Sequence, residues 1–106
     1  MRVLLHACVP RRLSRELSEH EVRTAPQMRW GDLDDGPLLD AIAGRFDALI
    51  TVDKSLPKQQ RMSTRPFAVV VLRAKTNRLI DLLPLVSVLR TTLDELRPGE
   101  VYELGG

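Results

Sequence analysis

The sequence predicts an α/β fold, a three-layer α/β/α sandwich with a mainly parallel sheet of four to five strands. Short runs of apolar, β-branched residues alternate with segments whose apolar residues recur every three or four positions, as in strand–helix–strand units. The run at 68–72 is apolar at every position and the run at 48–52 at every position but Thr51, which is typical of strands covered by helices on both faces. We therefore expect right-handed crossovers between parallel strands, within a single domain over residues 1–106.

The first part of the chain is predicted to hold two strands and a helix. Residues 3–5 form the first strand, and Pro10 opens a helix over 11–18. A brief second strand over 21–24 closes at Pro26, since proline restricts the residue before it.

The acidic pair Asp34 and Asp35 precedes a Gly-Pro pair, so one of the two is expected to cap a helix ending at Gly44. The third strand, 48–52, follows this helix. A short helical turn is then expected within 55–61.

The last part of the chain begins with the most strand-like run, 68–72, which predicts a central strand. A leucine-rich helix over 78–96, bent at Pro84, and a final strand over 100–104 follow. This helix is more apolar than one face against a sheet requires, so it predicts a homodimer surface. The additional apolar residues are Ile80, Leu85 and Val88.

Composition restricts the setting of the protein. Cys8 is the only cysteine and cannot form an internal disulfide, which favours a cytoplasmic protein. The apolar stretch near the N-terminus is too short to span a bilayer and has its charges after it, so neither a membrane anchor nor a signal peptide is expected. A net charge of +2 permits an acidic partner but does not point to nucleic acid.

Polar side chains follow several predicted strands, and parallel strands end at the same edge of a sheet. His6 follows the first strand and Asp53 the third, and Asp34 and Asp35 enter the second helix at that edge. Converging carboxylates can hold Mg²⁺ or Mn²⁺, since these hard ions take oxygen ligands. Nearby cations would suit a phosphodiester backbone: Lys54, Lys58, Arg73, Lys75 and Arg78.

Each of these residues also has a structural explanation. Asp34 and Asp35 suit a helix cap with no metal at all, and Asp53 could be a turn residue that bonds its own backbone. The cations could form an ordinary solvated face. His6 could be a core or edge imidazole, and Cys8 could be a packing residue or a soft metal ligand. His20, in a polar turn, is expected at the surface without a role.

Four segments together resemble the small PIN-like proteins of bacteria: RVLLHACVPRRL, HEVRTAPQMRWGDLDDGPLL, ALITVDKSLPKQQ and AVVVLRAKTNRLIDLLPLV. The resemblance covers nearly the whole chain and keeps the order of the elements. It implies a likeness to the PIN-domain nucleases, many of which are ribonuclease toxins encoded beside a small antitoxin. Their acids hold one or two Mg²⁺ or Mn²⁺ ions that activate water for phosphodiester cleavage.

The resemblance assigns roles by position. Asp53 matches the acid after the third strand, and Asp35 matches the acid that opens the second helix, with Asp34 beside it. The family's first acid follows the first strand, in segments resembling LLDEN or LLDEC, whereas this chain reads LLHAC with His6 in that place. Arg78 resembles the basic residue at the start of the family's long helix.

Three functions follow as hypotheses. The first is a metal-dependent endoribonuclease, the toxin partner of a small antitoxin, in which Asp35 and Asp53 bind the metal and His6 acts as a ligand or proton carrier. RNA phosphates would then meet Lys54, Arg73, Lys75 and Arg78. The second is a PIN-like scaffold that has lost cleavage and binds RNA or a protein, which the residue at position 6 favours. The third, a phospho-acceptor domain, lacks the acid pair expected after the first strand.

Overall fold

The computed structural model describes all 106 residues and contains one five-stranded sheet in which every neighbouring pair of strands is parallel. The strand order is β2-β1-β3-β4-β5. Each strand begins and ends within one residue of its predicted bounds. The strands are β1 (Arg2–Leu5), β2 (Glu21–Thr24), β3 (Ala48–Thr51), β4 (Ala68–Arg73) and β5 (Val101–Gly105).

The helical segments are shorter than the sequence predicts. The first crossover is a 3-10 helix over Arg11–Leu17, and α1 and α2 span Asp35–Ile42 and Leu56–Gln59. The predicted long helix is divided into α3 (Leu79–Leu82), a 3-10 turn (Leu83–Leu85) and α4 (Val86–Leu93). Pro84 lies within that turn, where its missing N–H and its ring prevent a regular α-helix.

Apolar side chains cover both faces of the sheet, because successive residues of a strand point to opposite faces. We call the two groups the front cluster and the back cluster. The front cluster combines Val3, Leu5, Ala48, Ile50, Val70 and Leu72 with Leu13, Leu17, Leu82, Leu89 and Leu93 from helical segments. The back cluster combines Leu4, Leu49, Val69 and Val71 with Leu38, Leu39, Ile42, Leu56 and Phe67.

The last crossover has the opposite hand to the other three. From β2 to β4 the chain moves across the sheet with α1 and α2 on the back, but from β4 to β5 it moves the same way with α4 on the front. About 98% of such connections in proteins are right-handed. The prediction that every crossover of this chain is right-handed is therefore wrong. The physical reason is that the front face of β3 and β4 must be shielded from water. α4 buries the front-face side chains of these strands, whereas α1 and α2 lie on the back face.

The strand order creates a crevice between β1 and β3. The segment after β1 turns to the front face, whereas α2, after β3, lies on the back, and ligands of open α/β sheets bind where such connections diverge. The His6 N–H donates to the carbonyl of Ile50 at 2.9 Å, which holds the two strand ends together. None of the helices has the length and apolar character that crossing a membrane requires.

Candidate functional site

A cluster of three side chains lies where β1 and β3 end. The Nδ1 atom of His6 is 2.7 Å from the Oγ1 atom of Thr51, and Cys8 Sγ is 3.4 Å from that nitrogen and 3.5 Å from that oxygen. Thr51 is fully buried, whereas His6 and Cys8 are half-buried. The three side chains therefore form a closed triangle whose hydroxyl corner is shielded from water.

The hydroxyl group of Thr51 can serve His6 in either protonation state. One of its lone pairs accepts the backbone N–H of Asp53 at 3.0 Å. When His6 is neutral, the hydroxyl can donate to Nδ1; when His6 is protonated, Nδ1–H donates to the oxygen and the hydroxyl can turn to the Cys8 sulfur. Thr51 is thus the common partner of the residues at this edge.

The triangle favours the charged forms of both titratable groups. The hydrogen bond with Cys8 raises the pKa of His6 and outweighs the opposing effect of burial, with added contributions from negative charge on Cys8, Asp35 and Asp53. Burial would raise the pKa of Cys8, but hydrogen bonds from His6, Thr51 and a backbone N–H outweigh it and lower that pKa. An imidazolium and a thiolate therefore stabilise each other.

Asp53 is held in a local turn by Ser55. Its Oδ1 atom accepts the Ser55 backbone N–H at 2.9 Å and the Ser55 hydroxyl at 2.6 Å. The hydroxyl contact outweighs burial and lowers the pKa of Asp53, which keeps the carboxylate ionised. The turn predicted as the alternative role of Asp53 is thus present, and it occupies one of the carboxylate oxygens that a metal would need.

Asp34 and Asp35 stand at the start of α1. Asp34 is the N-cap residue by position, and its carbonyl accepts the Leu38 N–H at 2.9 Å, but its side chain makes no capping hydrogen bond. Asp35 lies in the first helical turn, and its negative charge contributes to the raised pKa of His6. Asp35 and Asp53 are therefore both close enough to act on the same imidazole.

The residues present do not form a closed metal-ligand set. Nowhere in the chain do three or more His, Cys, Asp or Glu side chains group closely enough to hold an ion. One carboxylate oxygen of Asp53 already accepts a hydrogen bond from Ser55, and Nδ1 of His6 is already hydrogen-bonded to Thr51. The predicted Mg²⁺ or Mn²⁺, with Asp34, Asp35 and Asp53 as ligands, stays a prediction.

A groove of about 770 Å³ opens beside the triangle, between the segments that follow β3 and β4. Three predicted cations, Lys54, Arg73 and Lys75, line it, and Asp53 supplies its only acidic side chain. Arg73 lies 3.9 Å from Glu103, and both side chains are nearly half exposed, so this contact restrains the guanidinium only weakly. The basic residues after two separate strands therefore converge on one groove.

The other two predicted cations, Lys58 and Arg78, lie outside the groove. Arg78 follows the groove segment along the chain. Arg78 is the N-cap residue of α3 and is exposed. Asn77 lies on the groove instead, and its Nδ2 donates to the Cys8 carbonyl at 3.0 Å, which connects the groove to the loop after β1. Sequence reasoning did not assign a role to Thr51, Ser55 or Asn77. An Asp followed two residues later by Ser is a turn signal that could have identified Ser55.

The candidate dimer surface is partly accessible. Ile80 and Val88 are 69% and 44% exposed, whereas Leu85 is partly buried against the front cluster. Two of the three predicted residues are thus available to a partner, and the homodimer stays a prediction.

Comparison of the chain with protein-family models, curated proteins and solved structures found no match.

Proposed function

We propose that the groove binds the phosphodiester backbone of RNA and that the chain is a PIN-like binding module of the cytoplasm. The observation that carries the proposal is the convergence of Lys54, Arg73 and Lys75 on one groove with a single acidic side chain. Lysine and arginine bind phosphate oxygens through charge-assisted hydrogen bonds, and Asn77 adds a neutral donor or acceptor on the same wall. The five parallel strands with helical segments on both faces support the PIN-like, three-layer part of the proposal.

Salt-dependent RNA binding tests this proposal. The dissociation constant of a fluorescently labelled single-stranded RNA is measured by anisotropy over a range of salt concentrations. Each neutralised phosphate contributes about 0.7 to the slope of log affinity against log salt, so Arg73→Gln with Lys75→Gln should lower the slope by roughly 1.4. The matched control is Arg61→Gln with Arg97→Gln, which removes two exposed cations from outside the groove.

The groove variant should weaken binding at moderate salt, and the control variant should bind like the native protein. Equal losses in both variants would mean that net charge, not the groove, attracts RNA. Absence of salt-dependent binding by the native protein would refute the proposed function.

Metal-dependent endoribonuclease activity is the second candidate, and the shared contact of His6 and Asp53 with the Thr51 hydroxyl favours it, because it brings an imidazole and a carboxylate residue together at the sheet edge. In this case Mg²⁺ or Mn²⁺ would be bound by Asp35 and Asp53, with Asp34 beside them, and a small antitoxin protein would be the partner. His6 replaces an acid that such a site needs, so its ligand set is weaker than three carboxylates would provide.

Cleavage of RNA in Mg²⁺ and in Mn²⁺ separates the two functions. The native protein, His6→Asp and Asp53→Asn are compared on the same RNA by gel electrophoresis. The binding-module proposal expects no cleavage by the native protein, whereas cleavage that Asp53→Asn abolishes would establish the enzyme. Cleavage by His6→Asp alone would indicate a site that one restored acid reactivates.

A further inference from the structure

A second basic concavity, separate from the groove, lies beside the end of β2. We call it the arginine cleft; its volume is about 250 Å³. Arg11, Arg12 and Arg15 of the first 3-10 helix form one wall, and no acidic residue lines it. The remaining wall includes Val22, Thr24 and Gln27.

The three guanidinium groups have no acidic partner. No carboxylate oxygen lies within 4.0 Å of Arg11, Arg12 or Arg15, whereas Arg2 and Arg23 on the neighbouring strands both pair with Glu21. Like charges gathered on one wall repel one another, and an anion between them would relieve that repulsion. The planar guanidinium fork fits the oxygens of a phosphate group.

The wall of the cleft opposite the arginines is fixed by reciprocal hydrogen bonds. The Thr24 N–H donates to Gln27 Oε1 at 2.9 Å, and the Gln27 N–H donates to Thr24 Oγ1 at 3.2 Å. Because the amide oxygen of Gln27 is occupied, the NH₂ of the same group is left as a donor. The cleft thus combines three cations with a neutral donor held by the backbone.

The cleft and the groove lie on the same side of the sheet. Val22 in the cleft, and Val52 and Leu72 in the groove, all pack against the front cluster. Both sites lie at the carboxyl ends of strands, and β2 and β4 are three strand spacings apart, or about 14 Å. The loop between them carries Cys8, whose carbonyl accepts the hydrogen bond from Asn77 of the groove.

We propose that the arginine cleft is a second phosphate-binding subsite for the same RNA strand, which crosses the sheet edge from the groove at β4 to the cleft at β2. This inference rests on the proposed function of the groove. At about 3.4 Å per stacked nucleotide, the 14 Å separation corresponds to about four nucleotide steps. An RNA that fills both subsites must therefore be longer than one that fills the groove alone.

The test compares an RNA of about three nucleotides, which is too short to span four steps, with one of about twelve, which is within the range of known single-strand sites, on four proteins. These are the native protein, Arg11→Gln with Arg12→Gln, the groove variant Arg73→Gln with Lys75→Gln, and the control Arg61→Gln with Arg97→Gln. All substituted side chains are exposed, and circular dichroism melts verify that each variant folds.

The cleft variant should lose roughly 1.4 of the salt slope for the longer RNA, which corresponds to an affinity loss of roughly tenfold near 0.15 M salt. It should bind the shorter RNA like the native protein, whereas the groove variant should weaken both. A fifth protein that carries both the cleft and the groove substitutions should show the sum of the two losses, since the sites are well separated.

Three results would overturn the subsite, and they are distinguishable. If the cleft variant matches the control for both RNAs while the groove variant is weakened, the cleft does not bind RNA and the proposed function still stands. If the native protein binds neither RNA, the proposed function fails and the subsite fails with it. If polyglutamate of matched charge binds more tightly than RNA, and Arg11→Gln with Arg12→Gln abolishes that binding, the cleft accepts an acidic protein instead.

Discussion

Replacing Thr51 with valine should destabilise the fold by removing the common partner at the sheet edge. Valine keeps the shape and volume of threonine but lacks the hydroxyl group. The backbone N–H of Asp53 then loses its acceptor at 3.0 Å, and His6 Nδ1 loses its partner at 2.7 Å. Thr51 is fully buried, so bulk water cannot take the position of the missing hydroxyl group in the variant.

The magnitude follows from these two lost partners. An unsatisfied buried polar group costs roughly 1–3 kcal/mol, and the half-buried positions of His6 and Asp53 place both near the lower end. His6 Nδ1 still has the Cys8 sulfur at 3.4 Å, so Thr51→Val should lower the free energy of unfolding by about 1–2 kcal/mol. This is a large share of the 5–15 kcal/mol that is typical of native proteins.

Urea denaturation, followed by far-ultraviolet circular dichroism, measures this loss. The matched control is Thr92→Val, because Thr92 is also buried but its hydroxyl donates to the Val88 carbonyl within α4 at 2.8 Å. Such bonds back to the helix contribute little, so the control should change stability by less than about 0.5 kcal/mol. Equal effects in the two variants would refute the role given to the Thr51 hydroxyl.

Three further outcomes are expected. His20→Leu should raise the free energy of unfolding by about 1 kcal/mol, since both ring nitrogens are buried without a hydrogen-bond partner; lower stability in urea melts would contradict this. The raised pKa of His6 stabilises the fold fully below pH 6.5, and this contribution is lost as pH rises through the folded-state value above 6.5. His6→Asn should abolish that decline in melts across neutral pH, and an unchanged decline would exclude His6 as its source. Gly99→Ala should lower the free energy of unfolding by about 1–3 kcal/mol more than Gly44→Ala does. Both glycines have positive φ, but only at Gly99 would an added Cβ lie 2.8 Å from a backbone oxygen, that of Ser63. Equal shifts of the melting temperature in the two variants would argue against this clash.

The burial of His20 shows where pattern-based reasoning is limited. Its polar neighbours in sequence predict a surface position, and that prediction is wrong: its side chain is only 8% exposed. Glu19 bonds to Arg90 of α4 at 3.1 Å, which places the turn containing His20 beside a helix seventy residues further along the chain. A local pattern carries no signal of such a distant neighbour.

The hand of the final crossover has a similar origin. The leucine spacing after β4 predicts an apolar helix but does not state which sheet face it covers. The choice depends on which face α1 and α2 leave bare, and that is a property of the whole sheet. Pro84, in contrast, has a local effect, and the break in the helix occurs at the predicted residue.

The amino-acid sequence was sufficient to predict the α/β class, the five strands, the acid after β3 and the basic residues near one edge of the sheet. Apolar runs and the residues that follow them are local properties, so they can be recognised without the tertiary structure. Only the tertiary structure decided that Lys54, Arg73 and Lys75 share a groove without Arg78, and that Thr51 joins His6, Cys8 and Asp53. These contacts join residues at or just past the carboxyl ends of β1, β3 and β4, so they depend on strand order and register. Sequence spacing specifies neither.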